Sequence, residues 1–183
     1  MSNRLPMADI EALLQNIADP EIPVLSISEL GILRSVRWAQ DPTGADRLEV
    51  VITPTYSACP AIEQIAQDII TLLRDHGVNG MVCLQLAPAW SSDWMTEPAR
   101  EKLRGWGVAP PAQPMPQIVR LVRNGVAPGA MPALGPAGRA DAVLCPRCNG
   151  LDTMQTSYFG STACKAMYRC RSCLEPFDYF KPY

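Results

Sequence analysis

Four cysteines near the C-terminus come as two pairs, Cys145-Pro146-Arg147-Cys148 and Cys170-Arg171-Ser172-Cys173, with 21 residues between the pairs. A two-residue spacer lets one tight turn aim both sulfurs at one ion. Two such turns close a tetrahedral four-thiolate site. The interval is slightly longer than the commonest range but fits a hairpin. Residues 154–158 and 166–169 read as strands, Phe159-Gly160-Ser161-Thr162 as the turn between them, and 176–180 as a third strand. A ribbon of roughly 40 residues is too small to fold on apolar burial alone, so a metal would supply much of its folding free energy. A closed four-thiolate site has no open position, which argues for a structural zinc on Cys145, Cys148, Cys170 and Cys173. Four cysteines could also hold a [2Fe–2S] or [4Fe–4S] centre. Two disulfides are disfavoured, because residues 1–9 lack the apolar run of a secretory signal.

The rest of the composition narrows the function classes. The chain of 183 residues is 48% hydrophobic and 19% charged, which describes a globular protein with one good domain and a small one. Its net charge of −2 gives no general attraction to nucleic acid or membrane, and no apolar run reaches transmembrane length. The tail from 141 carries five bases and four acids, a thin electrostatic footprint for a nucleic-acid-binding ribbon. Seven cysteines without an export signal point to the reducing cytoplasm. The single histidine, His76, excludes a two-His facial triad and argues against a Ser-His-Asp triad. There is no G-x-G-x-x-G fingerprint for a flavin or nicotinamide. There is also no carboxylate–histidine set for a di-iron oxygenase.

Along the chain, Ile10, Leu13, Leu14 and Ile17 follow helical spacing, which predicts an amphipathic helix over 7–18 that stops at Asp19-Pro20. A rigid acidic turn follows, Asp19-Pro20-Glu21-Ile22-Pro23. Residues 32–38 read as a first strand. Asp41-Pro42-Thr43-Gly44 reads as a hairpin loop, and Leu48, Val50 and Ile52 as alternate positions of a second, antiparallel strand. After Thr53-Pro54-Thr55-Tyr56-Ser57-Ala58-Cys59-Pro60, a helix presents Ile62, Ile65, Ala66, Ile69, Ile70 and Leu73 on one face and is capped by Gly77. Val82, Leu84 and Leu86 alternate on a third strand, and a short helix runs near 97–104. Residues 107–140 hold seven prolines and five glycines. That density predicts a linker, interrupted by one short strand at 117–123. The expected organisation is an α/β domain over 1–106, a linker over 107–140 and a ribbon over 141–183. Charge is uneven. Residues 1–99 carry 13 acids against five bases, and residues 100–139 one acid against six bases. The bland reading is a solvated surface, and the sharper one a basic collar for an acidic partner.

Three cysteines remain. Pro60 suits the first position of a helix, which places Cys59 at the N-cap. There the helix dipole and free amides favour the thiolate and lower its pKa. The alternative is a buried thiol acting as a small hydrophobe. Cys83 lies on an alternating strand and reads as packing. Cys164 lies at the ribbon's turn, roughly 20 Å along a regular strand from Cys170. It therefore cannot share the ribbon metal: either it faces another site, with Cys59 as a candidate partner, or it is an incidental hairpin thiol. Asp19 and Glu21 could be hard ligands or could cap a turn. Trp38, Trp90, Trp94 and Trp106 read as core.

Asp19-Pro20-Glu21-Ile22-Pro23, then Glu29-Leu30-Gly31-Ile32, then Thr53 through Cys59-Pro60 opening a helix, resemble the SufT-like family of iron–sulfur assembly factors. Three further stretches resemble the PaaD-like accessory proteins of bacterial phenylacetate degradation. They are Thr53-Pro54-Thr55-Tyr56-Ser57-Ala58-Cys59-Pro60, Asp93-Trp94-Met95-Thr96-Glu97, and Phe159-Gly160-Ser161-Thr162-Ala163-Cys164-Lys165-Ala166-Met167-Tyr168-Arg169-Cys170. The resemblance implies a small SufT-like two-layer α/β domain followed by a three-stranded antiparallel zinc ribbon. It maps the family's functional cysteine onto Cys59 and its acidic motif onto Asp19 and Glu21. Beside them, Thr53 is a supporting candidate and Cys164, from its position in the chain, a candidate second thiol. The resemblance implies a non-enzymatic accessory factor of the phenylacetyl-CoA epoxidase that assists iron–sulfur cluster assembly or transfer to the reductase component. The alternative is a structural adaptor that docks epoxidase components through its ribbon. The implied cofactors are structural zinc and a transient iron or iron–sulfur cluster. The implied partners are the epoxidase components, the general iron–sulfur assembly machinery and a second copy in a homodimer, without nucleic acid or membrane.

Overall fold

A computed structural model describes residues 5–112 and 143–183. Helix α1, Met7–Leu14, buries Ile10 and Leu14. It is shorter than the sequence predicts. Asn16 and Ile17 already make three-residue turns to Leu13 and Leu14, and Ala18 pairs with Ser26 in an isolated bridge. The chain thus leaves the helix a turn before Pro20, because residues 17–19 are drawn into pairing with the loop that follows. Strand β1, Leu33–Gln40, pairs antiparallel with β2, Asp46–Ile52. Along β2 the side chains of Leu48, Val50 and Ile52 point inward and are buried, as strand alternation requires.

Helix α2, Ala61–Asp75, buries Ala61, Ile65, Ile69 and Leu73, the centre of the expected stripe. Gly77 ends it in the left-handed region, φ +69°, donating its N–H to the Arg74 carbonyl at 2.9 Å. The chain returns as β3, Gly80–Leu84, parallel to β2, so the sheet order is β1-β2-β3. Val82 packs against the core. Leu84 and Leu86, expected to continue its alternation, are about half exposed, at 53% and 56%. Helix α3, Glu97–Trp106, is capped by the Thr96 side chain, which accepts from Ala99 N–H at 3.3 Å. Trp90 is buried, but Trp106, read as core, is exposed.

The C-terminal sheet contains β5 (Thr153–Ser157), β6 (Lys165–Cys170) and β7 (Pro176–Phe180), paired antiparallel as expected. It also contains a strand no periodicity announces. Val108–Ala109, β4, lies parallel to β7 and gives the order β4-β7-β6-β5. The opening residues of the expected linker are therefore part of the ribbon's sheet. The strand expected at 117–123, and most of that linker, lie outside the described residues.

The ribbon has a core of its own around Val143, Ala166, Tyr168, Phe177 and Tyr179, but two of its residues join the core of the first domain. Phe180 and Cys164, both ribbon residues, are 1% and 3% exposed and belong to the apolar cluster of the first domain. Phe180 packs on Trp90 with ring centroids 5.8 Å apart. The Tyr183 carbonyl accepts from Ser92 N–H at 3.2 Å. Buried Arg100 donates to the carbonyls of Ser92 and Pro111 at 2.7 and 2.8 Å, tying α3 to the segment that enters the ribbon.

Candidate functional site

Two sites emerge, one on each sheet. In the ribbon, the two Cys-x-x-C turns are built alike. Cys145 N–H donates to the Gly150 carbonyl and Cys170 N–H to the Glu175 carbonyl, both at 3.0 Å. Each turn leaves through a residue of positive φ, Asn149 (58°) and Leu174 (65°). The ligand atoms of Cys145, Cys148, Cys170 and Cys173 all lie within 4.8 Å of one another. Cys145 and Cys173 sulfurs are 3.7 Å apart, and those of Cys148 and Cys170 3.6 Å. A tetrahedral ion with Zn–S bonds of about 2.3 Å requires sulfurs about 3.8 Å apart. The four residues therefore fit one zinc ion, whereas a multi-iron cluster would hold them farther apart. The Cys173 N–H, 3.5 Å from Cys170 Sγ, holds that thiol down at a pKa of about 6, readying it as a thiolate ligand.

The second site lies where the ribbon's turn meets the first domain. The acidic turn supplies Asp19 and Glu21. Asp19 is buried, and its Oδ1 accepts from the N–H groups of Glu21 (2.9 Å) and Ile22 (2.8 Å). It thus has the turn-capping role considered from the sequence, while its buried charge also faces the site. Burial raises its pKa against those two hydrogen bonds. Glu21 is raised as well, by burial and then by the Asp19 charge.

Cys59 stands just ahead of α2. Pro60 has helical dihedrals (φ −69°, ψ −24°) but the helix proper begins at Ala61, one residue later than expected. The Cys59 thiol is 8% exposed. It takes hydrogen bonds from Ala61 N–H and the Thr55 side chain, which favour the thiolate, as a helix terminus should. Burial outweighs them, and the nearby Glu21 and Asp19 charges add to it, so the pKa is raised rather than lowered. The sequence shows the helix terminus but not the desolvation or the two carboxylates brought up from 40 residues away. Tyr56 joins the group: burial and the neighbouring Cys59 push its pKa up to about 12. Thr53, at the end of β2, is 1% exposed, and its hydroxyl has no hydrogen-bond partner.

The ribbon contributes Cys164. Its sulfur lies 2.9 Å from Thr162 Oγ1 and 3.8 Å from Glu21 Oε2. Burial pushes its pKa up to about 11. Lys165 is buried beside it, 3.9 Å from Asp178, and its charge acts on Asp19 and Glu21. The site therefore assembles Asp19, Glu21, Tyr56 and Cys59 from one sheet's loops with Thr162, Cys164 and Lys165 from the other's. Lys165 and Tyr56 escape a reading of the sequence alone. Their only signal is their place in the family-like stretches that carry the two cysteines, Lys165 directly after Cys164 and Tyr56 three residues before Cys59. Cys83 is half-buried on β3 and lies outside both sites.

Comparison with known proteins finds two family matches. Residues 7–82 match the family model of an iron–sulfur cluster assembly protein, and residues 130–181 that of the PaaD zinc beta ribbon domain. An Escherichia coli (strain K12) protein, described as one subunit of a "Putative 1,2-phenylacetyl-CoA epoxidase", is 44% identical over 94% of this chain and 91% of its own length. A Porphyromonas gingivalis "Fe-S protein maturation auxiliary factor" is 35% identical over 52% of this chain and 88% of its own. A solved Bacillus anthracis domain of unknown function aligns with 25% identity over 52% of this chain and 89% of that one, at a TM-score of 0.45. The chain belongs to the PaaD family, in which an iron–sulfur-assembly domain is joined to a zinc β-ribbon.

Proposed function

We propose that this protein is a non-enzymatic accessory factor of a phenylacetyl-CoA epoxidase system, and that it passes iron or an iron–sulfur cluster to the component that carries one, the reductase subunit. The observation behind this reading is the buried Cys59 thiol, set at the head of α2 beside Asp19 and Glu21 within a matched iron–sulfur-assembly domain. A thiolate is a soft ligand for iron and for clusters. A thiol that stays protonated until it meets metal releases its cargo more readily than a permanent thiolate, because reprotonation competes with the metal. The epoxidase setting comes from the relative of nearly equal length. The ribbon zinc is structural in this reading.

The test is anaerobic reconstitution of the client's cluster by zinc-loaded protein, alongside growth on phenylacetate. Cys59→Ser is expected to reduce transfer at least about tenfold while leaving the fold and ribbon zinc intact. Undiminished transfer would remove Cys59 from the mechanism. The adaptor reading draws on the exposed apolar side chains of the ribbon, Leu151, Met154, Met167 and Leu174. It would gain if Cys59→Ser supported growth and loss of the ribbon did not.

A further inference from the structure

The ribbon's own metal site uses four of its five cysteines. The fifth, Cys164, is turned away from that metal and buried in the other domain's core, 3% exposed. Cys164 lies within that apolar cluster, but its thiol also has polar neighbours. Its sulfur has the Thr162 hydroxyl at 2.9 Å and the Glu21 carboxylate at 3.8 Å. Cys59, in the same apolar cluster, is near enough for its charge to act on Cys164. Lys165 puts one positive charge against the carboxylates of Asp19 and Glu21. Asp19 has committed one oxygen to two backbone N–H groups, whereas the Glu21 carboxylate faces the Cys164 thiol directly. Two thiols and one carboxylate therefore converge from two domains at a site that one lysine cannot neutralise once the thiols ionise.

We propose that Cys59, Cys164 and Glu21 form one binding site for a divalent metal ion of borderline softness, Fe(II) under the function proposed above, on which this inference rests for the identity of the ion. Metal–sulfur bonds of about 2.3 Å and a metal–oxygen bond of about 2.1 Å on a tetrahedral ion put sulfur and oxygen about 3.6 Å apart. The Cys164–Glu21 separation of 3.8 Å is close to that. Among the described residues, only the ribbon quartet already has its ligand atoms gathered within 4.8 Å. Side-chain rotation would have to bring Cys59, Cys164 and Glu21 together around the ion. Three protein ligands leave a fourth position open, the arrangement suited to an ion that must leave again, whereas the ribbon's four thiolates close theirs. The balance is simple. Two S–H bonds break, two metal–sulfur bonds form, two protons go to solvent, and no electron moves. The groups facing Cys164 are Glu21, Cys59, Thr162, Lys165, Tyr56 and Tyr183.

The experiment is an anaerobic Co(II) titration of full-length, zinc-loaded protein, read by the thiolate-to-cobalt charge-transfer band and by proton release into weak buffer. One Co(II) beyond the ribbon zinc, with two protons released, is expected. Cys164→Ser should release one proton, show about half the band intensity and bind about tenfold more weakly or worse. Glu21→Gln should weaken binding while still releasing two protons, and it serves if Cys164→Ser loses its ribbon zinc. Cys83→Ser should match the parent. Equal cobalt binding by Cys164→Ser and the parent, or no cobalt beyond the ribbon zinc, overturns the site. The client assay is kept separate. If Cys164→Ser loses cobalt yet still matures the client, the site stands and the transfer reading falls. If it keeps cobalt, the site falls whatever the client does.

Discussion

Thr53 is the residue whose chemistry is least accounted for by folding. A buried hydroxyl with no partner costs about 1–3 kcal/mol of desolvation relative to one that is paired, and Thr53 is 1% exposed with its Oγ1 unpaired. Val has nearly the same shape and lacks the hydroxyl. Thr53→Val is therefore expected to leave stability unchanged or raise it by about 1 kcal/mol, as measured by urea denaturation. If client maturation falls at the same time, the hydroxyl acts on cargo and the stability it sacrifices is functional. If maturation is unaffected, Thr53 is only a β-branched residue closing β2. The cysteines show how far residue type alone carries a reading. The paired spacing of Cys145, Cys148, Cys170 and Cys173 is a local signal, and it is legible. The state of Cys59 is half legible. Its helix-terminus amide is encoded by the neighbouring Pro60 and Ala61, but the burial and the Asp19 and Glu21 charges that outweigh that amide arrive through tertiary contacts.

At the scale of elements, the Glu29-Leu30-Gly31-Ile32 stretch shows a motif working as a brace. Glu29 takes the Lys102 ammonium at 2.6 Å and its carbonyl accepts from Thr96 N–H at 3.0 Å, while the Leu30 carbonyl accepts from Trp90 Nε1 at 2.9 Å. Gly31 between them has φ +71°, and a Cβ there would sit 2.6 Å from Trp94 Cβ and 2.8 Å from the Trp94 carbonyl oxygen. Gly31→Ala is expected to cost more than about 2 kcal/mol, since strain and a backbone clash add. Its effect should reach α3 and the Trp90–Phe180 contact. Hydrogen exchange across 90–106 would test this, and unchanged protection would mean the brace is dispensable. The elements with a strong period are legible: α2 from its stripe, β2 from its alternation, and β5 to β7 from the ribbon spacing. Those that differ from expectation lack a period of their own. Helix α1 ends early because Ala18 pairs with Ser26. Strand β4 is two residues long and exists only because β7 is beside it. The parallel pairing of β3 follows from the α2 crossover.

For the molecule as a whole, the contacts between the ribbon and the first domain decide how metal and stability are coupled. Were the ribbon a separate unit on a tether, removing zinc would unfold it and leave the first domain untouched. The structure argues otherwise. Cys164 and Phe180 fill the first domain's core, the Tyr183 carbonyl accepts from Ser92 N–H, and Arg100 clamps the Pro111 and Ser92 carbonyls. If the ribbon depends on zinc for its fold, chelation is expected to destabilise the assembly domain as well. Zinc-loaded protein should melt in a single calorimetric transition. If chelation withdraws about 5 kcal/mol, that transition should drop by about 10–20 °C. The chelated protein should also lose protection around Cys59, because Cys164 no longer closes that side of the site. Two separate transitions, with the first-domain transition unmoved by chelator, would show that the ribbon folds by itself and that the contacts at Cys164 and Phe180 contribute little. The single-transition outcome gives the structural zinc a consequence beyond the ribbon. By holding the 158–164 turn in place, it would set whether Cys164 stands beside Glu21 and Cys59, so an ion that never exchanges would control a site built for one that does.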